Sequence, residues 1–275
     1  TITGGNLWRE GGLCRFGAAL VNASRLSGSA ITCTAPPAAL SGAWARVSLT
    51  FSEPWAAALY GFEASLHGHA HVRNGSLHLI DRRGPDDVLA DDSAVGSVVF
   101  SLPQPALPPT AFRATFKLRM GRGGGADGVS FSYGDLASGM IGELGSGNGL
   151  RVCWRTHDLQ RIEVWYGTSL LHTSSPPPGH SLRTEGFADV LVQYGSAGLV
   201  VTHHGLVHVT GLGIDGWHPM EGWRFAIGAR TGSKSDDHHI DDLVLEAGSA
   251  SEREASPLSV SLNGLQFSSS LPFVY

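Results

Sequence analysis

Along residues 111–120, AFRATFKLRM, the apolar Phe112, Ala114, Phe116, Leu118 and Met120 alternate with Arg113, Thr115, Lys117 and Arg119. A period of two puts every apolar residue on one side of an extended segment, so the stretch predicts a β-strand with one face buried and one in water. RIEVWYG, FADVLVQYG, LVVTHHGLVHV and WRFAIGA continue the theme at regular spacing, and no stretch sustains a helical period. A run of antiparallel strands of this kind closes into a large jelly-roll β-sandwich over residues 55–248. Residues 1–52 read differently, as short glycine-punctuated strands: TITGGNL, CRFGAALVNA, SAITCTAPP and ARVSLTF. The same style returns in LSVSLNGLQFSSSLPFVY at 258–275. The chain is therefore expected to be all-β. Polar, small-residue seams, FSEPWAAA and EAGSASEREASP, part the long middle segment from the two ends.

Composition narrows the function. The 275 residues suffice for two cores, and 37 glycines with 16% charged residues suit turns and short strands. A net charge of -5 with no Lys/Arg run supplies no field for phosphates, which excludes nucleic acid as a partner. No apolar run reaches the roughly 20 residues a spanning helix needs, so no membrane segment is expected here. The N-terminus lacks a charged-then-apolar signal pattern, and we expect a soluble piece of a longer protein with its targeting signal elsewhere.

Three cysteines occur. Cys14 and Cys33 bracket 18 residues between two strand-like segments, a span that fits a bridge worth about 3 kcal/mol in the chain-entropy picture; two buried free thiols are the alternative. The sequons at Asn22 and Asn74 fit the same extracellular or cell-surface setting. Cys153, flanked by apolar residues in GLRVCWRT, is expected to be a buried structural thiol.

Titratable residues cluster in two places. SDDHHIDD offers Asp237, His239 and Asp241 as candidate metal ligands, since carboxylate and imidazole both serve Zn²⁺ or Ca²⁺. HGHAH would set His67, His69 and His71 on one face of a strand. His203, His204 and His208 read as strand surface. Trp165 falls on the polar register of its segment and is the best exposed aromatic for stacking on a sugar ring, whereas Trp223 reads as core. Catalysis finds no support: Glu163 has no carboxylate two or four positions away on its face, and no G-x-S-x-G elbow occurs, so the chain is expected not to be an enzyme.

Two resemblances are carried by motifs in order. GGNL, CRFG followed by LVNA, ITCTAPP, GAWARVSLTF, and then VSLNGLQF and LPFVY at the far end resemble the IPT/TIG family of immunoglobulin-like domains, without its first strand. Because 1–52 lack the family's closing strands and 258–275 supply them, this resemblance implies a small discontinuous sandwich of 1–52 and 256–275 with a larger domain, 55–248, inserted in it, which requires only that the inner segment's ends lie close together and that the host loop be exposed. GGGADGVSFSYGD (123–135), GNGLRVCW (147–154), IEVWYGTSLL (162–171) and WRFAIGARTGSKSDDHHIDDLVLE (223–246) resemble the concanavalin A-like lectin/glucanase superfamily, nearest its legume-type and laminin-G-like members. The second resemblance implies that Asp127 accepts hydrogen bonds from sugar hydroxyls while Gly128 lets a ring approach the backbone; an aspartate bonding its own turn is the alternative. It also implies that SDDHHIDD is a structural turn before the last strand. Such lectins hold Ca²⁺ in an oxygen-rich loop. The matching stretch here, VCWRTHDLQRIEVW, offers His157, Asp158 and Glu163 but not six to eight oxygens, so no cofactor is expected, with Ca²⁺ the alternative. The resemblances together imply a non-catalytic extracellular structural or adhesive module of a cell-surface or filament-forming protein, with neighbouring domains or copies as partners. A glycan-binding lectin using Asp127 is the second reading, and an inserted glucanase a distant third.

Overall fold

The computed structural model describes Phe51 and residues 64–81, 94–100, 108–136 and 140–248 in full, and the backbone alone of the strands before residue 50 and after residue 255. Cys33 lies outside the described residues, as do the side chains of Cys14 and Asn22 and with them the expected bridge and the first sequon. The strands in chain order begin with β1 (Ile2–Thr3), β2 (Leu13–Phe16), β3 (Ala19–Asn22), β4 (Ser24–Ser27), β5 (Ala30–Thr32), β6 (Ala45–Leu49), β7 (Ala64–Gly68) and β8 (His71–Arg73). They continue with β9 (Ser76–Ile80), β10 (Val95–Phe100), β11 (Ala111–Gly121), β12 (Gly128–Asp135), β13 (Asn148–Arg155), β14 (Arg161–Tyr166) and β15 (Ser169–Ser174). The last are β16 (Ala188–Gly195), β17 (Gly198–His203), β18 (Leu206–Leu212), β19 (Arg224–Arg230), β20 (Asp237–Gly248), β21 (Ser256–Ser261) and β22 (Leu271–Phe273). The protein is all-β, with no helix among the described residues.

Two compact units are present, one of residues 1–44 with 249–275, the other of 45–248. In the first, β2 pairs antiparallel with both β3 and β21, so a strand near one end of the chain is hydrogen-bonded to a strand near the other. In the second, two antiparallel sheets form a jelly-roll sandwich: a seven-stranded sheet ordered β15-β14-β13-β12-β19-β10-β7 and an eight-stranded sheet ordered β18-β17-β16-β11-β20-β9-β8. The eighth strand of that sheet is β6, paired to the far half of β20 with Ala45 opposite Ala247. ARVSLTF therefore belongs to the larger unit, where the sequence placed it in the smaller one. Its alternation fits either sandwich, and only β20, twelve residues long, decides the matter by offering its second half an unoccupied edge.

The core lies between the two sheets of the larger unit. Phe112, Ala114, Phe116, Leu118 and Met120 of β11 are buried as their period predicts. Tyr133 stacks on Phe225 at 4.1 Å between ring centroids, and its hydroxyl donates to the Pro109 carbonyl at 2.9 Å, so the most central polar atom is satisfied. Trp154 is fully buried, while Trp223 is half-buried and packs edge-on against Tyr133. Cys153 is a buried free thiol held neutral, its pKa pushed up to about 12 by burial.

His203 and His208 are buried and not surface residues. His203 shares the inward face of β17 with Leu199 and Val201, two and four positions before it, while His204 turns outward with φ +51°. His238 is also fully inside, on the face it shares with Ile240. Burial lowers the pKa of His203 and His238 to about 4. An unfolded histidine titrates near 6.5, so between those values the unfolded chain binds more protons than the folded one. Stability is complete above about pH 6.5 and lost as pH falls toward 4, by at most about 3 kcal/mol for each ring. Thermal unfolding followed from neutral pH down to about pH 5 should show a falling midpoint; a midpoint flat across that window would mean that these rings are already protonated in the native state.

Candidate functional site

Among the described residues, three loops (121–127, 156–160 and 231–236) meet at one end of the seven-stranded sheet, because β12 and β14 begin where β13 and β19 end. The turn 121–127 enters β12 through three residues with positive φ, Arg122 (+69°), Gly125 (+84°) and Gly128 (+139°). Gly128 is required twice over. A Cβ there would also sit 2.0 Å from the Trp154 carbonyl oxygen. The peptide between Ala126 and Asp127 is cis. Asp127 is then fixed through its backbone, its N–H donating to the Arg230 carbonyl at 2.9 Å and its carbonyl accepting from the Thr156 N–H at 3.0 Å.

The Asp127 carboxylate is held less tightly. Its Oδ2 lies 3.7 Å from Arg230 Nε, beyond hydrogen-bond range, and the side chain keeps 17% of its exposure. Arg230 also reaches toward buried Glu143, at 3.9 Å, linking the loop 140–147 to the same corner. The hydroxyls of Thr156 and Thr231 are buried beside these backbone bonds without a protein partner. The corner thus presents a carboxylate with free lone pairs, next to glycines, over a rigid backbone.

A second feature anchors this turn. Asp236, fully buried, receives a two-pronged contact from Arg183, Nε to Oδ2 at 2.7 Å and Nη2 to Oδ1 at 2.8 Å. The Gly123 N–H donates to the same carboxylate at 3.0 Å, and Arg183 donates in return to the Gly123 carbonyl. Three segments far apart in sequence are tied at one point.

Other residues singled out in the sequence fall elsewhere. Trp165 is half-buried on the outer face of β14, donating to Glu163 at 3.1 Å with the Arg151 guanidinium 5.5 Å from its ring. It lies two strands and four residues along from the row of Gly128, roughly 15 Å away by strand spacing and rise. One sugar ring cannot touch both. Glu163 is also bonded to Arg161 and lies 3.7 Å from Arg155. Although burial opposes it, the bonds to Arg161 and Trp165 and the arginine charges hold its carboxyl below the usual range, the reverse of what a glycosidase general acid needs.

In the stretch matching the calcium loop, His157 Nδ1 pairs with exposed Asp158 at 3.1 Å and Glu163 faces away toward its arginines, so the oxygen set Ca²⁺ needs is not assembled. Asp241 sits opposite Lys117, with its Oδ1 accepting from the Asp242 N–H. Among the described residues it joins no ligand group. His67, His69 and His71 do not share a face: Gly68, with φ +63°, turns the chain so that His67 belongs to the seven-stranded sheet and His71 to the eight-stranded one. Asp237 and His239 do come together, with Asp81, His78 and His71, which the sequence did not associate with them.

No protein-family model and no curated protein matches this chain. Among solved structures it is similar to the Emp46p carbohydrate recognition domain in its potassium-bound form, with 13% identity and a TM-score of 0.50 over 66% of this chain and 87% of that one. The VIP36 exoplasmic/lumenal domain in its Ca²⁺/Man-bound form is similar at 16% identity, TM-score 0.48, over 66% and 82%. The likeness to the Emp46p domain is one of fold, a two-sheet jelly-roll sandwich.

Replacing Asp236 with alanine should cost about 2–4 kcal/mol, because it strands a partly buried guanidinium and frees the Gly123 N–H; the range is reduced for the 30% exposure that Arg183 keeps. Urea unfolding of the variant measures this, and a loss below about 0.5 kcal/mol would show that water replaces the carboxylate freely.

Proposed function

We propose that residues 45–248 form a non-catalytic carbohydrate-binding module of lectin type, with Asp127 as the hydroxyl acceptor. One observation carries this reading. The Asp127 carboxylate stands at the junction of three described loops with its backbone fully bonded and, among the described residues, its side chain engaged only by an ion pair at 3.7 Å. A carboxylate offers two acceptor atoms to the paired hydroxyls of a pyranose, and Gly128 leaves room for the ring. Because the calcium ligands of legume-type lectins are not assembled at 156–163, binding is independent of that ion. Trp165, too distant for the same ring, serves a second residue of an oligosaccharide.

A second reading concerns the smaller unit. The β2–β21 pairing joins both ends of the chain and supports an IPT/TIG-like host domain, interrupted after Trp44 and resumed at Ser249. The whole is then an extracellular or lumenal module of a longer protein. Neighbouring domains or copies dock on the host while glycans are met by the guest. Asn74, exposed at a hairpin tip, is an accessible sequon.

The purified chain should bind selectively on a glycan array that includes mannose-type oligosaccharides, equally with Ca²⁺ and with chelator. Asp127→Ala should abolish that binding, a loss of at least tenfold, with an unchanged circular dichroism spectrum. Silence of the wild type on the array, or full binding by the variant, rejects the sugar site.

A further inference from the structure

On the outer face of the eight-stranded sheet, away from the loops around Asp127, a hairpin presents two histidines to one carboxylate. Asn74 (φ +52°) and Gly75 (φ +77°) form the two-residue turn between β8 and β9, the Asn-Gly pair that mirror-image hairpin turns select. That turn fixes the register, and the register sets His71 directly opposite His78. Asp81 follows at the end of β9. His71 Nε2 lies 3.2 Å from Asp81 Oδ2, and His78 Nδ1 lies 2.6 Å from Asp81 Oδ1.

The outer partners of these rings decide which nitrogens carry hydrogen. His71 Nδ1 lies 3.0 Å from the His69 carbonyl oxygen, which only accepts, so that nitrogen holds its proton. His78 Nε2 lies 3.1 Å from the Ser76 hydroxyl, whose own hydrogen goes to the Arg73 carbonyl, so Nε2 is the donor there too. A neutral ring at either position has its lone pair aimed at a carboxylate that is itself an acceptor. A positive charge belongs between them.

His239 behaves differently. Arg119 donates to its Nδ1 at 2.6 Å, so its Nε2 carries the hydrogen and donates to Asp81 Oδ1, also at 2.6 Å. Its ring stacks on that of His78 with centroids 3.6 Å apart. Asp237, 3.4 Å from Arg119, balances the guanidinium from the other side.

We propose that His71 Nε2, His78 Nδ1 and the Asp81 carboxylate form a binding site for a borderline divalent ion of the Zn²⁺ class, with His239 as the positioning residue that orients Asp81. The donor set is two imidazoles and one oxygen, which suits Zn²⁺ better than Ca²⁺, and a fourth position stays open to water. Tautomers set by a carbonyl and a hydroxyl are the outer-shell arrangement that metal-binding imidazoles use. Ligands at about 2.0–2.1 Å in a tetrahedron stand roughly 3.3 Å apart; the three donor atoms already lie within 4.8 Å of one another, each imidazole facing its own oxygen of Asp81, so a small closing movement brings them onto one ion. His71 keeps 45% of its side-chain exposure and Asp81 27%, so the ion enters from solvent.

The test is calorimetric titration of the chelator-treated full chain with Zn²⁺, paired with Co²⁺ as a visible-absorption probe of tetrahedral geometry. One equivalent should bind and raise the unfolding midpoint. His71→Ala, on an exposed hairpin and safe for folding, should remove the site, whereas His204→Ala, in the turn after β17, should leave it intact. His239→Ala should weaken binding about 10–100-fold, with His239→Gln restoring part of it through its amide donor. Absence of Zn²⁺ binding by the wild type, or equal affinity in His71→Ala, overturns the proposal and leaves a proton between His71 and Asp81 as the charge that the geometry calls for.

Discussion

The fork between Arg183 and Asp236 is the contact on which the functional end of the larger unit rests. A carboxylate with no solvent exposure is tolerated only when its charge and lone pairs are answered, and here a guanidinium and the Gly123 N–H answer them. Satisfying Asp236 in this way fixes where β20 starts. The strand then leaves with Asp237 and His239 on the outer face and His238 among the core residues, helped by a register shift against β9 between His238 and His239. The same fork packs against Gly125, so the turn that carries Asp127 is braced by the residue that sets the phase of the last long strand. One ion pair thereby positions groups on both sheets.

Much of this was legible in the sequence. The period of two in β11 predicted its buried face residue by residue, the strand grammar gave the all-β class, and the GADG turn pointed to the corner where loops converge. His203 was legible as well: Leu199, Val201 and His203 share one register, and the apolar pair should have carried the histidine inward. Two things were not. The sheet membership of β6 depends on which edge is open, a tertiary fact that alternation cannot encode. The histidine–aspartate group needed the reversal at Gly68, which parts His67 from His71, and then the hairpin register that brings His71 to His78. The Asn-Gly pair was the available signal for the second step, since it marks a two-residue turn and so determines which residues face each other.

Two acids of the seven-stranded sheet are used differently. Glu163 is surrounded by arginines and a tryptophan N–H, so it stays ionised and committed to its neighbours. Asp127 has a rigid backbone and a loosely engaged side chain, the opposite balance. A scaffold of this kind can evolve recognition at the loop corner without disturbing the sheet, because the acid that would compete for ligands is already neutralised by its partners.

The pairing of β6 with the second half of β20 has a mechanical meaning. Residues 45 and 247 are partners in the ladder, so the larger unit is entered and left at adjacent points. Tension transmitted through residues 44 and 249 would pull these two strands apart like a zipper, breaking one rung at a time, and would not load the whole ladder in shear. The unit would therefore yield at low force from its edge inward, shedding β6 first. The loop corner at Asp127 and the Asp81 cluster depend on the other half of β20 and would outlast that first step.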